Sequence, residues 1–173
     1  NNSGVLFQYN TGTSTFNVKF DFEEAVSGSA PQSSLIQATN GKLYGTTEYG
    51  TSYSEGVIFE YDITTSICTK KYEFNDGAKL SGRHPIGALM QASDGMMYGM
   101  SYDGGIANAG VVFKYNPVTA YYTKEFDFHG SANGSAPVSG LTLAADKMLY
   151  GVTQLGGINN AGAIYQYDPT FNV

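Results

Sequence analysis

Three landmarks recur along this chain at fixed distances, and they constrain the fold more than any other feature. Tyr44, Tyr98 and Tyr150, each in a Leu/Met-Tyr-Gly phrase, stand 13 residues after Pro31, Pro85 and Pro137 and 12 residues before Gly56, Gly110 and Gly162. With Gly4, the glycines head segments spaced 52, 54 and 52 residues apart. Gly4, Gly56 and Gly110 each precede a phenylalanine (Phe22, Phe74, Phe128) by 18 residues, so one two-residue insertion between Phe74 and Pro85 is the only gap the alignment needs. A unit repeated in this way buries its apolar faces against neighbouring copies of itself.

Each unit reads as four short strands, A to D. After the proline comes SSLIQA, GALMQA or GLTLAA, then a turn, then LYGTT, MYGMS or LYGVT. Asn40-Gly41 and Asp94-Gly95 are strong hairpin turns, whereas Asp146-Lys147 is a weaker one. A Gly/Asn-rich connection leads to strands such as GVIFEYD, which alternate with period two. A polar connection then leads to the last strand, with Phe20/Phe22, Tyr72/Phe74 and Phe126/Phe128 on one face. Hairpin turns favour antiparallel meanders over the parallel coils of a solenoid. The expected fold is all-β: a β-propeller of four-stranded antiparallel blades of about 53 residues, about three blades per chain.

Residues 1–173 are thus read as a single β-propeller or propeller fragment, with repeats at approximately 4–55, 56–109 and 110–161 and an extra strand at 162–168. In strand order the chain runs CD, ABCD, ABCD, ABC. Closed propellers have about 4–8 blades, so three cannot close a ring. Two solutions are expected: covalent continuation in a longer chain, or a homodimer that completes a six-bladed ring.

The landmarks resemble the GloVer tandem repeat of bacterial secreted and surface-anchored proteins. Its pattern maps onto Pro31, Leu35, Asn40, Gly41, Leu43 to Thr47, Gly50, Gly56, Phe59 and Phe74. It maps again from Pro85, Leu89, Asp94 and Gly95 through Tyr98, Gly99, Gly104 and Gly105 to Gly110, Phe113 and Phe128. The third copy keeps Pro137, Leu149, Tyr150, Gly151, Thr153, Gly156, Gly157 and Gly162. Departures are Lys147 and Thr51 for glycines, and Val or Ala where the pattern has Thr after Gly56, Gly110 and Gly162. The resemblance implies a propeller on an exported bacterial protein, located outside the cell or on its surface, and transfers no catalytic residue.

Charge narrows the partners. With net charge −6, nine Lys plus Arg and no basic run, the chain lacks the clustered cations that a phosphate backbone demands, so no nucleic-acid partner is expected. No apolar run approaches the ~20 residues of a membrane span, so no membrane insertion is expected. Cys68 is the single cysteine and aligns with Phe16 and Tyr122, an apolar position. No cofactor or metal site is expected. His129 lacks a second histidine nearby, and Asn75 to Gly77 lacks the run of carboxylates usual for calcium.

The repeated tyrosines and glycines read as architecture; the side chains that vary within the constant frame are the candidates for recognition. Equivalent B-to-C positions hold Glu48, Tyr102 and Gln154, then Tyr49, Asp103 and Leu155. The insertion lengthens the second D-to-A connection, which contains Arg83, the only arginine, and His84; His129 lies in the next such connection. In a propeller these two kinds of connection emerge on one face. Arg83, His84, Glu48, Tyr49, Tyr102, Asp103, Gln154 and His129 are therefore the candidate ligand-binding residues, suited to an acidic or hydroxylated ligand. The expected function is a non-catalytic extracellular module that recognises a glycan or protein through its loop face. A carbohydrate-active enzyme with a pocket in the closed ring, and a structural surface spacer, are the alternatives.

Overall fold

The computed structural model describes residues 2–50, 52–74, 77 and 79–169. Thr51, Asn75 and Asp76, considered above, lie outside the described residues. The first sheet is the hairpin β1 (Val5–Asn10) and β2 (Thr15–Asp21). A four-residue helix, α1 (Glu24–Ser27), follows. The second sheet runs in the order β3 (Ile36–Gln37), β4 (Leu43–Thr47), β5 (Val57–Asp62), β6 (Ile67–Glu73). The third repeats this order with β7 (Met90–Gln91), β8 (Met97–Ser101), β9 (Val111–Asn116) and β10 (Tyr121–Asp127). In the fourth, β11 (Ser135–Pro137) and β12 (Thr142–Leu143) pair with β13 (Leu149–Leu155), which also pairs with β14 (Ala163–Tyr167). Every pairing is antiparallel.

The innermost strand differs from its expected form. Only two residues pair further along after each proline, and a second point of pairing lies at or before it: Ser29 with Tyr49, Arg83 with Asp103, and β11 in the fourth sheet. Pro31 and Pro85, which have no N–H to donate, lie between the two points, whereas Pro137 ends β11 opposite Thr153.

The landmark residues stitch successive sheets together. Ala30, His84 and Ala136, each before a proline, have φ of 54°, 52° and 53°. This left-handed turn lets their N–H groups reach back to the carbonyls of Ser3, Glu55 and Ala109 in the preceding sheet, at 3.0, 2.9 and 3.0 Å. The following proline then lies on the glycine that heads the preceding sheet's third strand. A Cβ on Gly56 (φ +94°) would stand 2.7 Å from Pro85 Cδ and 2.4 Å from the Thr47 carbonyl. Glycine at that position, like Gly4 and Gly110, follows from this close approach.

Apolar packing between sheets uses the period-two alternation. Phe59 and Tyr61 on β5 pack back onto Leu6 and Phe22, whereas Ile58, with Tyr44 and Phe74, packs forward onto Val111, Phe113 and Tyr115. Tyr98, Met100, Val112 and Phe128 pack forward in turn onto Leu141, Leu149 and Tyr167. At each junction the closing phenylalanine meets the next sheet's aromatic edge-on: Phe22–Phe59 at 5.0 Å, Phe74–Phe113 at 5.4 Å and Phe128–Tyr165 at 4.9 Å. These rings explain the glycine after each repeated tyrosine, because a Cβ on Gly99 would stand 2.5 Å from Phe113 Cζ across the strand pair.

The repeated tyrosines are structural. Tyr98 and Tyr150 donate to Asp94 and Asp146 of the A–B turn four residues earlier, at 3.0 and 2.8 Å, while Tyr44 accepts from Asn40 Nδ2 at 3.0 Å and donates to Glu60. The same Asx side chains cap their own turns, accepting from Lys42, Met96 and Met148 N–H. Asn10, Asp62 and Asn116 cap the C–D turns in the same manner.

Candidate functional site

The second D-to-A connection and the second B-to-C connection meet through their backbones. Arg83 N–H donates to the Asp103 carbonyl at 2.9 Å, and Tyr102 N–H donates to the His84 carbonyl at 2.9 Å. This pairing brings Arg83 Nη2 to 2.9 Å from Asp103 Oδ2 and His84 Nδ1 to 3.0 Å from Asp103 Oδ1. One carboxylate therefore bridges a guanidinium and an imidazole, each about four-fifths buried: side-chain exposures are 20%, 21% and 19% for Arg83, His84 and Asp103. Arg83 Nη2 also donates to Asn108 Oδ1 at 3.2 Å, an oxygen that accepts from Gly104 N–H as well. The buried Nε of Arg83 has no hydrogen-bond partner among the described residues.

Tyr49 of the preceding sheet closes the cluster, its ring 5.3 Å from that of His84 and edge-on to it. Its hydroxyl pKa is raised by a hydrogen bond to Glu48 and by burial, and Glu48 in turn accepts from Gln32 Nε2. Tyr102 is half-buried beside this group. Arg83, His84, Asp103, Glu48, Tyr49 and Tyr102 thus lie together where the second and third sheets meet. Gln154 and His129 do not join them. Gln154 is exposed on β13, and His129 is exposed in the next D-to-A connection, its N–H donating to Asn133 Oδ1 at 2.7 Å.

The cluster departs from the repeat at three matched positions. Where one sheet has Arg83, His84 and Asp103, the others have Ser29, Ala30 and Tyr49, or Ser135, Ala136 and Leu155. An ion pair has replaced a small residue facing an apolar one.

The sequence reading missed what holds the B-to-C connections in place. Glu73 accepts from Ser52 N–H at 2.9 Å and pairs with Lys70, and Asp127 accepts from Ile106 N–H at 2.8 Å and pairs with Lys124. These acids on the outer strands anchor the loops that carry the variable side chains. The signal was their position immediately before the closing phenylalanine. Cys68 is half-buried, and burial pushes its thiol up to about 11, so it stays protonated.

A family profile described as the Gloeobacter/Verrucomicrobia repeat matches residues 1–173. No curated protein matches the chain significantly. Among solved structures, TolB from Acinetobacter baumannii superposes with a TM-score of 0.59 at 14% identity, covering 98% of this chain and 36% of that one. An extracellular domain from B. thetaiotaomicron, of a protein described as the hybrid two-component system BT4673, superposes with a TM-score of 0.63 at 16% identity, covering 96% of this chain and 19% of that one. The chain therefore spans about a third and a fifth of these structures. At such identities the likeness is one of fold: four-stranded antiparallel sheets arranged as propeller blades. Among the described residues no helix is long and apolar enough to cross a membrane.

Proposed function

We propose that this chain, which belongs to the Gloeobacter/Verrucomicrobia repeat family, is a non-catalytic bacterial surface module that recognises a hydroxylated glycan on the face formed by its D-to-A and B-to-C connections. The observation that carries this reading is the joint departure of Arg83, His84 and Asp103 from the repeat, assembled beside the exposed ring of Tyr49. Fixed planar donors and acceptors next to an aromatic surface suit sugar hydroxyls, which need directional hydrogen bonds and an apolar face to lie on. An extracellular placement is supported by the extracellular domain among its structural neighbours.

A protein partner is the second reading. Ile106 and Ile158, 71% and 101% exposed at the B-to-C tips, favour it.

Probing a printed glycan array with the labelled chain tests the first reading. Binding to a defined set of glycans, lost in Arg83→Ala and Tyr49→Ala chains that keep their β circular dichroism, is expected. Absence of bound glycan, or binding indifferent to both substitutions, rejects it.

A further inference from the structure

A glutamine at the end of the innermost strand ties the second and third sheets together, and the fourth sheet lacks it. Gln91, at the end of β7, donates from Nε2 to the Gly95 carbonyl of its own A–B turn at 2.9 Å. Its Oε1 accepts from Thr39 N–H in the A–B turn of the preceding sheet, also at 2.9 Å. One carboxamide thus bridges a carbonyl of one blade and an N–H of the blade before it. Gln37 holds the same position on β3 and donates likewise to the Gly41 carbonyl, at 3.1 Å. On β12 the position is Leu143, 39% exposed. The Lys147 carbonyl and Ser93 N–H, which match those of Gly95 and Thr39, have no hydrogen-bond partner among the described residues. A pocket of about 250 Å³ stands there, lined by Ala92, Ser93 and Asp94 of the third sheet and by Leu143, Lys147 and Pro169 of the fourth. It lies at the A–B end of the strands, the end opposite the B-to-C connections.

We propose that this pocket binds the acetamido group of an N-acetylated amino sugar, which supplies from outside the amide that Gln91 supplies from within. Ser93 N–H then donates to the acetamido oxygen, and the acetamido N–H donates to the Lys147 carbonyl, the same two bonds the Gln91 amide makes one junction earlier. The acetamido methyl lies against Leu143 and Ala92, an apolar contact that an unsubstituted carboxamide forgoes. The pocket is smaller than the ~300–1,000 Å³ of ordinary small-molecule sites, so the substituent enters and the sugar ring stays at the mouth. Lys147 borders that mouth, a cation suited to ring hydroxyls. It is itself a departure from the repeat, because Gly41 and Gly95, each with φ 80°, hold the left-handed position that Lys147 keeps at φ 68°. One substitution removes the internal amide and the other adds a cation beside the same pocket. The site stands apart from Arg83 and Asp103 and does not depend on them.

Titration of the isotope-labelled full chain with N-acetylglucosamine, followed through its amide NMR resonances, is the test. The Ser93 resonance is expected to move saturably, with a dissociation constant in the millimolar range for so small a contact. Glucose, which lacks the amide, is expected to leave it in place. Leu143→Gln restores the residue that the second and third sheets carry and fills the pocket with its own amide, so binding is expected to weaken at least about tenfold. Gln91→Leu is expected to open a second such site, read at the Thr39 amide, and it carries the test if Leu143→Gln fails to fold. Arg83→Ala is expected to leave the response unchanged, which separates failure here from failure of glycan recognition on the loop face. An equal response to glucose, a response to acetamide without one to N-acetylglucosamine, binding that Leu143→Gln leaves intact, or no response at all overturns the proposal.

Discussion

Glu125 Oε1 lies 2.9 Å from Lys114 Nζ, and the same two positions one blade earlier hold Lys71 and Glu60, with the charges exchanged between strands. Both pairs exist because of a β-bulge. In each complete blade the pairing of third and fourth strands skips one residue, Lys71 or Glu125, at the same place. The unpaired residue turns its side chain toward the neighbouring strand instead of continuing the alternation. Glu60 is thereby surrounded by Lys42 at 2.9 Å, Lys71 at 3.7 Å and the Tyr44 hydroxyl.

Acid should weaken the fold partly through Glu60. Burial opposes its ionisation, but the hydrogen bonds from Tyr44 and Lys42 and the charge of Lys71 outweigh it and bring its pKa below the ordinary 4.5. An acid whose pKa is depressed by folding stabilises the native state above the unfolded value, and that contribution fades as pH falls through the folded value. Denaturant midpoints measured from about pH 6 to pH 3 are expected to fall, with a shallower fall in Glu60→Gln. Equal slopes in the two proteins would remove Glu60 from the acid response.

Two tyrosines at matched positions should respond oppositely to loss of the hydroxyl. Tyr115 is fully buried and its hydroxyl has no hydrogen-bond partner among the described residues, whereas Tyr167 donates to Glu125 Oε2 at 2.9 Å. An unsatisfied buried hydroxyl costs about 1–3 kcal/mol, so Tyr115→Phe is expected to be neutral or to stabilise by about 1 kcal/mol. Tyr167→Phe, which orphans part of Glu125, is expected to destabilise by about 1–2 kcal/mol. Urea unfolding of both variants measures the difference.

Lys147 occupies, at φ 68°, the turn position where Gly41 and Gly95 have φ 80°. Left-handed backbone costs a residue with a side chain about 1 kcal/mol, so Lys147→Gly should raise the thermal midpoint by a few degrees. Gly99→Ala should lower it far more, with a loss of about 1–3 kcal/mol of stability, because its methyl would press on the Phe113 ring and Leu89 Cδ2 at 2.5 and 2.8 Å. Calorimetry of both substitutions checks the sign and the order.

Arg83→Ala should leave stability nearly unchanged, within about 1 kcal/mol. The side chain is about four-fifths buried, but its Nε already lacks a partner among the described residues and His84 remains on Asp103, so the carboxylate stays partnered. A loss of several kcal/mol on thermal unfolding would make the cluster a structural clamp rather than a recognition surface.

The blades were legible in the sequence because their landmarks answer to local sterics. A proline that cannot donate, a glycine under that proline, a glycine facing a ring and an Asx capping its own turn are requirements that each copy meets for itself. Their order fixed four strands per unit and the phase of the chain. The meeting of Arg83 and His84 with Asp103 followed in outline from the same frame, since both connections were expected on one face. Tertiary structure decided the rest. Pairing of the innermost strand begins before the proline, at Arg83, because the left-handed residue there reaches back to the previous blade. The bulge inverts the alternation at Lys71 and Glu125, and period two carries no mark of it. Leu89 and Leu141 are buried whereas Leu35 at the matched position is 41% exposed, because the exposure of a repeated leucine depends on what packs against it.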